Sequence, residues 1–365
     1  MAHRLIGTEV SLYTGKVRAY LRFKGIPFDE ILSTREVYQS VIVPRTGVRY
    51  IPVLITDDDI AIQDSTEIID VLEQRYPQPA VYPLTPLQRL VALLFEVYGD
   101  EWLLLPAMHY RWNVPENKAY AVQEFGRTSS PTASVAEQQR LGARLAEPFA
   151  GALPYLGITP RSAGAIEASY LAFLADFEQH LQHTPYLLGA RPCIGDFGLI
   201  GPLYAHLYRD PASGALMAEK APRVADWVER MMAVPEQVGD FLPEDQVPST
   251  LVPLLARIFG EQVPVLLDTA DRVARWAKEH SERELPRTLA KGTFTLGGVT
   301  EQRAVSAYPL WMWQRPQRHY CALSPEDRQR AQDFLAAIPG ASAALARPVE
   351  RPVERVNNRL RLQRE

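Results

Sequence analysis

The stretch YIPVLITDDDIAIQDSTEI, residues 50–68, decides the fold. Proline cannot donate to a strand ladder, so Pro52 belongs at the start or the edge of a strand. The residues after Pro52 read as a strand over 53–55, a turn at 57–59, a short returning strand over 60–62 and a helix beginning near Ser65. Ser65 is the pivot, a side chain suited to cap that helix.

Upstream, residues 4–7 are a short strand candidate. Lys16, Val17, Tyr20, Leu21 and Lys24 give a helix whose apolar members recur at i, i+3 and i+4, and Gly25 ends it. A second strand is predicted over 28–32, then an irregular stretch to Tyr50. The helix from Ser65 to Tyr76 places Ile68, Ile69, Leu72 and Tyr76 on one face. The order is βαβ followed by ββα, which predicts an α/β first domain over residues 1–76.

PQPAVYPLTP, residues 77–86, cannot continue a helix and predicts a stiff linker. Beyond it the apolar period is helical: Leu87, Leu90, Val91, Leu94 and Tyr98 share one face, and Ile166, Tyr170, Phe173, Leu174, Phe177 and Leu181 another. An all-α domain is therefore expected over 87–240, with a polar loop near 127–139. Residues 241–345 predict a mostly helical extension packed on the helical domain, and GTFTLGGVT at 292–300 predicts a hairpin. The end, RPVERPVERVNNRLRLQRE, predicts a mobile or surface-bound tail over 346–365.

The totals exclude several classes of function. A chain of 365 residues with 47% hydrophobic and 22% charged residues is long enough for two domains. A net charge of −4 gives no footprint for nucleic acid or for anionic membranes. The start MAHRLIGTEVSLYTGK has no signal-peptide core, and no apolar run is expected to reach membrane-spanning length. Two cysteines, Cys193 and Cys321, argue for a reducing, cytoplasmic compartment. The histidines make no metal-ligand spacing, and His180 and His183 are expected on the solvent face of a helix. No metal is predicted.

Three patches resemble the glutathione transferase family in its serine-motif, bacterial-like form, in the family's order. SLYTGKVRAYLRFKGI resembles the S-x-x-x-x-K-V-R start of the first helix. IPVL followed by QDST resembles the V-P-x-L and E-S pair of the glutathione site. PYLLGARPCIGDFGLIGPLYAHL is similar to the L-G-x-x-P-S-x-x-D capping segment, with Cys193 where the family has serine or threonine and with Asp196 kept. The resemblance covers roughly residues 4–235. It implies a thioredoxin-like domain followed by a helical domain, glutathione as co-substrate, a small hydrophobic electrophile as partner, and a homodimer.

It also implies a site. Ser11 aligns with the motif's serine and is expected to donate a hydrogen bond to the glutathione thiolate, with Tyr13 and Thr14 as alternatives in the same turn. A cis Ile51–Pro52 bond would free the N–H and C=O of Val53 for the peptide. Asp64 would neutralise the γ-glutamyl ammonium while Ser65 caps the helix whose N-terminus receives the carboxylate, and Arg45 or Arg49 would meet the glycyl carboxylate. Leu12, Tyr98, Trp102 and Tyr110 are expected around the electrophile, with Tyr13. Thiol reduction needs a cysteine where Ser11 stands and is disfavoured. The alternative to conjugation is a binding module of the same fold without catalysis.

Overall fold

Strand β1 (His3–Gly7) lies inside a four-stranded sheet of order β2-β1-β3-β4 in the computed structural model, which describes residues 2–364. It runs parallel to β2 (Phe28–Leu32) and antiparallel to β3 (Val53–Ile55), which pairs antiparallel with β4 (Ala61–Gln63). Leu5 thus faces Glu30 on one side and Leu54 on the other. A parallel pair needs a crossover, here helix α1 (Leu12–Phe23). This mixed sheet with its helices is a thioredoxin-like domain. Ile51–Pro52 is cis, and the returning strand begins one residue later than the sequence predicts.

The three aspartates make the β3–β4 turn. Asp59 takes φ 61°, a left-handed conformation that aspartate tolerates. Arg4 and Arg45 pair with Asp59, and Arg75 with Asp58. The hydrogen bond from Arg75, then that from Thr56, hold the Asp58 carboxyl down to about 2.

Residues 35–46, expected to be irregular, are helical instead, with a π turn over Tyr38–Ile42. Thr34 caps the segment by accepting the Val37 N–H, and Gly47 ends it at φ 72°. The β-branched VIVP run hides this helix from propensity arguments. Tertiary packing decides it, since Ile42 is fully buried in one cluster with Ile6, Val53 and Ile55. On the other flank, Tyr20 and Phe23 of α1 pack their rings on Phe197. Helix α2 (Ser65–Arg75, with Glu73) is tied to α1 by the Tyr20 hydroxyl and the Lys24 ammonium, each 2.7 Å from the same Glu73 oxygen.

The compact units cut across the expected domain borders. One contains Met1–Val81, Leu103–Leu153 and Phe197–Val238; the other contains Tyr82–Trp102, Pro154–Asp196 and Gly239–Glu365. Met1 and Glu365, the limits of the expected first domain and tail, lie outside the described residues. In the first unit, helices Pro115–Ser129 and Val135–Ala150 run antiparallel in close contact. A Cβ on Gly126 would sit 1.9 Å from the Gln138 carbonyl oxygen, so only glycine permits this approach. The loop between them is residues 130–134, shorter than expected.

In the second unit, the extension completes the core of helices Pro86–Glu101 and Ala163–His180. Gln262 donates to the Val97 carbonyl at 3.0 Å, and Arg257 pairs with Asp176. Residues 249–279 form one helical run whose most apolar window has mean hydropathy 1.4, enough by length and composition to cross a membrane, contrary to the sequence expectation. Half of that window is buried within the unit, as in a core helix. The predicted hairpin is present as β5 (Ala290–Leu296) and β6 (Val299–Val305), turned at Gly297 and Gly298. The tail is docked. Its strands β7 (Val353–Val356) and β8 (Arg359–Leu362) form a hairpin, and Val353 exchanges two 2.8 Å hydrogen bonds with the Gln314 side chain.

His180 is buried rather than solvent-facing. Its Nε2 lies 3.1 Å from the Tyr186 carbonyl, which can only accept, so Nε2 carries the proton and Nδ1 accepts from the Thr250 hydroxyl at 2.8 Å. Burial lowers its pKa to about 4. A depressed folded-state pKa gives stability that is present above the unfolded value near 6.5 and is lost as pH falls toward the folded value. Between pH 7 and pH 5 this group alone should cost about 2 kcal/mol. Urea midpoints should therefore fall on acidification, and less steeply in His180→Gln. An identical slope in the variant would contradict the assignment.

Candidate functional site

The loop between β1 and α1 is pinned from below by a buried ion pair. Arg111, on helix Leu104–Asn113, donates from Nε and Nη2 to the two oxygens of Asp210, both at 2.7 Å. Its Nη1 donates to the Val10 carbonyl at 2.8 Å and to His206 Nε2 at 2.9 Å, and its Nη2 also bonds the Ala205 carbonyl. Burial, with the Arg111 charge second, pushes the His206 pKa well down, so this imidazole is neutral and accepts. Burial raises the Asp210 carboxyl while the Arg111 hydrogen bonds oppose it. A carboxylate taking two guanidinium bonds is the form this geometry fits.

Ser11 is the residue after Val10. Its oxygen accepts the Thr14 N–H at 3.3 Å, making it the N-cap of the twelve-residue α1. The hydroxyl proton remains to be donated, and no acceptor holds it among the described residues. The side chain is half-buried at the positive end of the helix dipole. Tyr13 is also half-buried. Thr14, the other alternative, is fully buried, and its Cγ2 and Oγ1 lie 2.4 Å from where a Cβ on Gly7 would be. Gly7 is required for that approach.

At α2 the roles expected of Asp64 and Ser65 change places. Asp64 is the N-cap, accepting the N–H groups of Thr66 at 2.9 Å and Glu67 at 3.2 Å, and Ser65 is the first helical residue, almost fully buried. Aspartate reaches two N–H groups where serine reaches one, and its carboxylate suits the dipole. Asp64 adopts φ 91° and ψ 130°, a conformation that costs a non-glycine residue on the order of 1–3 kcal/mol. Such strain concentrates at ligand sites. The buried Lys16 ammonium donates to the Thr66 hydroxyl at 3.0 Å, joining the first turns of α1 and α2.

Other expected positions differ. Val53, the first residue of β3, pairs with Ile6 and Gln63 and is fully buried, so its peptide groups are not open to solvent as predicted. Pro52 is buried beside it and Ile51 is half-buried. Arg45 is spent on Asp59, whereas Arg49 is exposed and has no ion pair among the described residues. The four residues expected around an electrophile are all buried and are not brought together in one unit. Leu12 packs on Gly201 and Tyr110 lies beside His109 in the first unit. Tyr98 packs on Phe173 in the second, where Trp102 donates to Glu261 at 3.1 Å and meets Phe294 edge-on. Asp196 does reach back to the Cys193 N–H at 2.9 Å, as expected of the capping segment. No group of side chains with metal-ligand geometry occurs among the described residues.

Sequence reasoning missed the Arg111–Asp210 pair and the Arg209 network beside it. Arg209 donates to Glu9 at 2.6 Å and to the hydroxyls of Tyr120 at 2.8 Å and Tyr204 at 3.3 Å. One signal was present. LLPAMHYRWN puts an arginine among large apolar side chains, and a charge placed so requires a buried partner.

The family comparison agrees with this geometry. Residues 5–80 match the family model for the glutathione S-transferase N-terminal domain. Solved structures it is similar to include the beta-etherase LigF from Sphingobium sp. strain SYK-6, at 18% identity, covering 64% of this chain and 96% of that one with TM-score 0.47. A glutathione S-transferase from Methylobacterium radiotolerans in complex with glutathione sulfonate is 21% identical over 66% of this chain and 100% of that one, TM-score 0.36. FzlA from C. crescentus is 16% identical over 68% and 97%, TM-score 0.41. No curated protein matches the sequence.

Removing one partner of a buried pair leaves an uncompensated charge, which typically costs about 3–5 kcal/mol. Asp210→Ala should lower unfolding free energy by that order in urea titrations. A loss below about 1 kcal/mol would show that the pair does not hold the loop.

Proposed function

We propose that this protein binds glutathione at the adjoining N-termini of α1 and α2 and uses its thiolate to attack a small electrophile. The observation that carries this reading is the Ser11 hydroxyl: capped through its oxygen, left with its proton to donate, and set at the positive end of a helix. A free thiol of pKa near 8.5 is about 3% ionised at pH 7, and lowering that value by ~2 units requires about 2.7 kcal/mol of preferential thiolate stabilisation. One hydrogen bond to a charged acceptor supplies about 1.5–3 kcal/mol, and a helix N-terminus up to about 1 kcal/mol more. The sum suffices without a general base. Asp64, strained and next to the Lys16–Thr66 contact, is the anionic group for the γ-glutamyl ammonium.

The closed backbone at Val53 favours a second reading, a glutathione transferase fold that binds ligand or protein without turnover. Steady-state kinetics separate the two. Conjugation should be measurable in wild type, and Ser11→Ala should lower kcat/KM by about 10- to 100-fold while the glutathione Kd from calorimetry moves less than about threefold. Binding of glutathione with no conjugation of any electrophile supports the second reading, and no binding at all defeats both. Asp64→Gly tests the strain. Glycine is nearly as good an N-cap and adopts this φ freely, so stability should hold within about 1 kcal/mol while glutathione affinity drops. Unchanged affinity would remove Asp64 from the site.

A further inference from the structure

Arg303, on β6 in the second unit, is a half-buried cation that makes no hydrogen bond and no ion pair among the described residues. Its guanidinium carbon sits in the corner between two rings, 6.0 Å from the Trp102 centroid and 5.9 Å from that of Phe294. The two rings stand at 90° to each other. They cover the cation but offer it no acceptor, and the Trp102 N–H is itself spent on Glu261. A guanidinium has five donors and does not deprotonate. Half-buried, it is costly unless something else takes its N–H groups.

The same side chain lines a narrow recess whose other walls include Val265 and Leu266 of the helical run 249–279, all within the second unit. Glu101 and Gln262 line it too. The Gln262 amide nitrogen donates to the Val97 carbonyl, so this side chain has only its Oε1 left to offer, and that atom has no hydrogen-bond partner. Burial disfavours the Arg303 charge and the Glu101 charge supports it. One donor-only cation therefore shares the recess with two acceptor side chains, one of them anionic. A simple anion would be drawn to Arg303 and repelled by Glu101, and a simple cation the reverse. A group carrying both charges side by side is favoured by both residues. The recess has about 20 Å³ of room for water-sized groups, which is one or two waters or the two oxygens of a carboxylate.

We infer that this recess binds the α-amino-carboxylate group of a small amino acid, the carboxylate on the Arg303 N–H groups and the ammonium toward Glu101 and the Gln262 oxygen. The side chain of the ligand stays outside the narrow part, which favours the smallest amino acids. Binding alone is inferred, with no chemical step.

Calorimetry on the full chain with L-alanine and with propionate, which lacks the ammonium, reads the two charges apart. Wild type should bind L-alanine, and Arg303→Met should bind it at least about tenfold more weakly, with Arg303→Lys recovering part of the loss. Glu101→Gln gives a signature that damaged packing would not: L-alanine should weaken while propionate, relieved of repulsion, should tighten. No L-alanine binding by wild type overturns the inference, as does equal affinity in Arg303→Met, or propionate bound by wild type as tightly as L-alanine. The γ-glutamyl end of glutathione bears the same head group, so glutathione titrations separate the sources. A second equivalent bound by wild type and lost in Arg303→Met assigns the recess to the tripeptide, and an equal number of equivalents in both leaves it to free amino acids. None of these outcomes depends on Ser11 or Asp64, so this inference and the proposed function fail separately.

Discussion

Everything at the candidate site depends on one buried ion pair. Arg111 and Asp210 are 99 positions apart, and both are almost fully buried. Removing two charges from water is expensive, and a buried pair is often no more stabilising than apolar residues of the same shape. What the pair supplies is position. A guanidinium has five donors in a fixed plane, and here they reach Asp210, Val10, His206 and Ala205 at once. The Val10 carbonyl is fixed by this plane, and Ser11 is the next residue. Asp210 in turn precedes the helix Pro211–Lys220 and comes directly after Arg209, so the same anchor sets the guanidinium that holds Tyr120 and Tyr204.

The chemistry then needs no titrating residue. Ser11 has its oxygen engaged by a donor from the protein, and its own proton remains to be given. In the proposed function such a group stabilises charge where it appears, on the glutathione sulfur, with little reorganisation. The strained Asp64 belongs to the same logic. Its backbone is held where a free residue would not stay, and the result is a carboxylate at the first turn of α2, beside the Lys16–Thr66 contact.

How much of this was legible in the sequence depended on how local the cause was. The β-hairpin after Pro52, the Gly297–Gly298 turn and the return of Asp196 to Cys193 are short-range effects, and each was readable from spacing, turn chemistry or the resemblance. The helix over 35–46 was not, because β-branched residues conceal it until Ile42 meets the sheet. The Asp64 cap was misassigned to Ser65 because both are good caps, and only the backbone angle separates them. The surroundings of the aromatic candidates were hidden for a different reason. Tyr98 and Trp102 have the size and polarity of pocket residues, but Phe173, Phe294 and Glu261, 70 or more positions away, claim them for a core. The unit borders were unreadable likewise, since residues 82–102 and 154–196 join a partner that begins at 239.

The central claim is that an oriented serine hydroxyl at a helix N-terminus ionises the glutathione thiol. Thiolate absorbance in the ultraviolet, titrated against pH on the glutathione complex, reads this without any second substrate. The bound-thiol pKa should lie well below the free value near 8.5 and rise by at least about one unit in Ser11→Ala. A bound-thiol pKa that is the same in wild type and variant would contradict the claim and move the role away from Ser11.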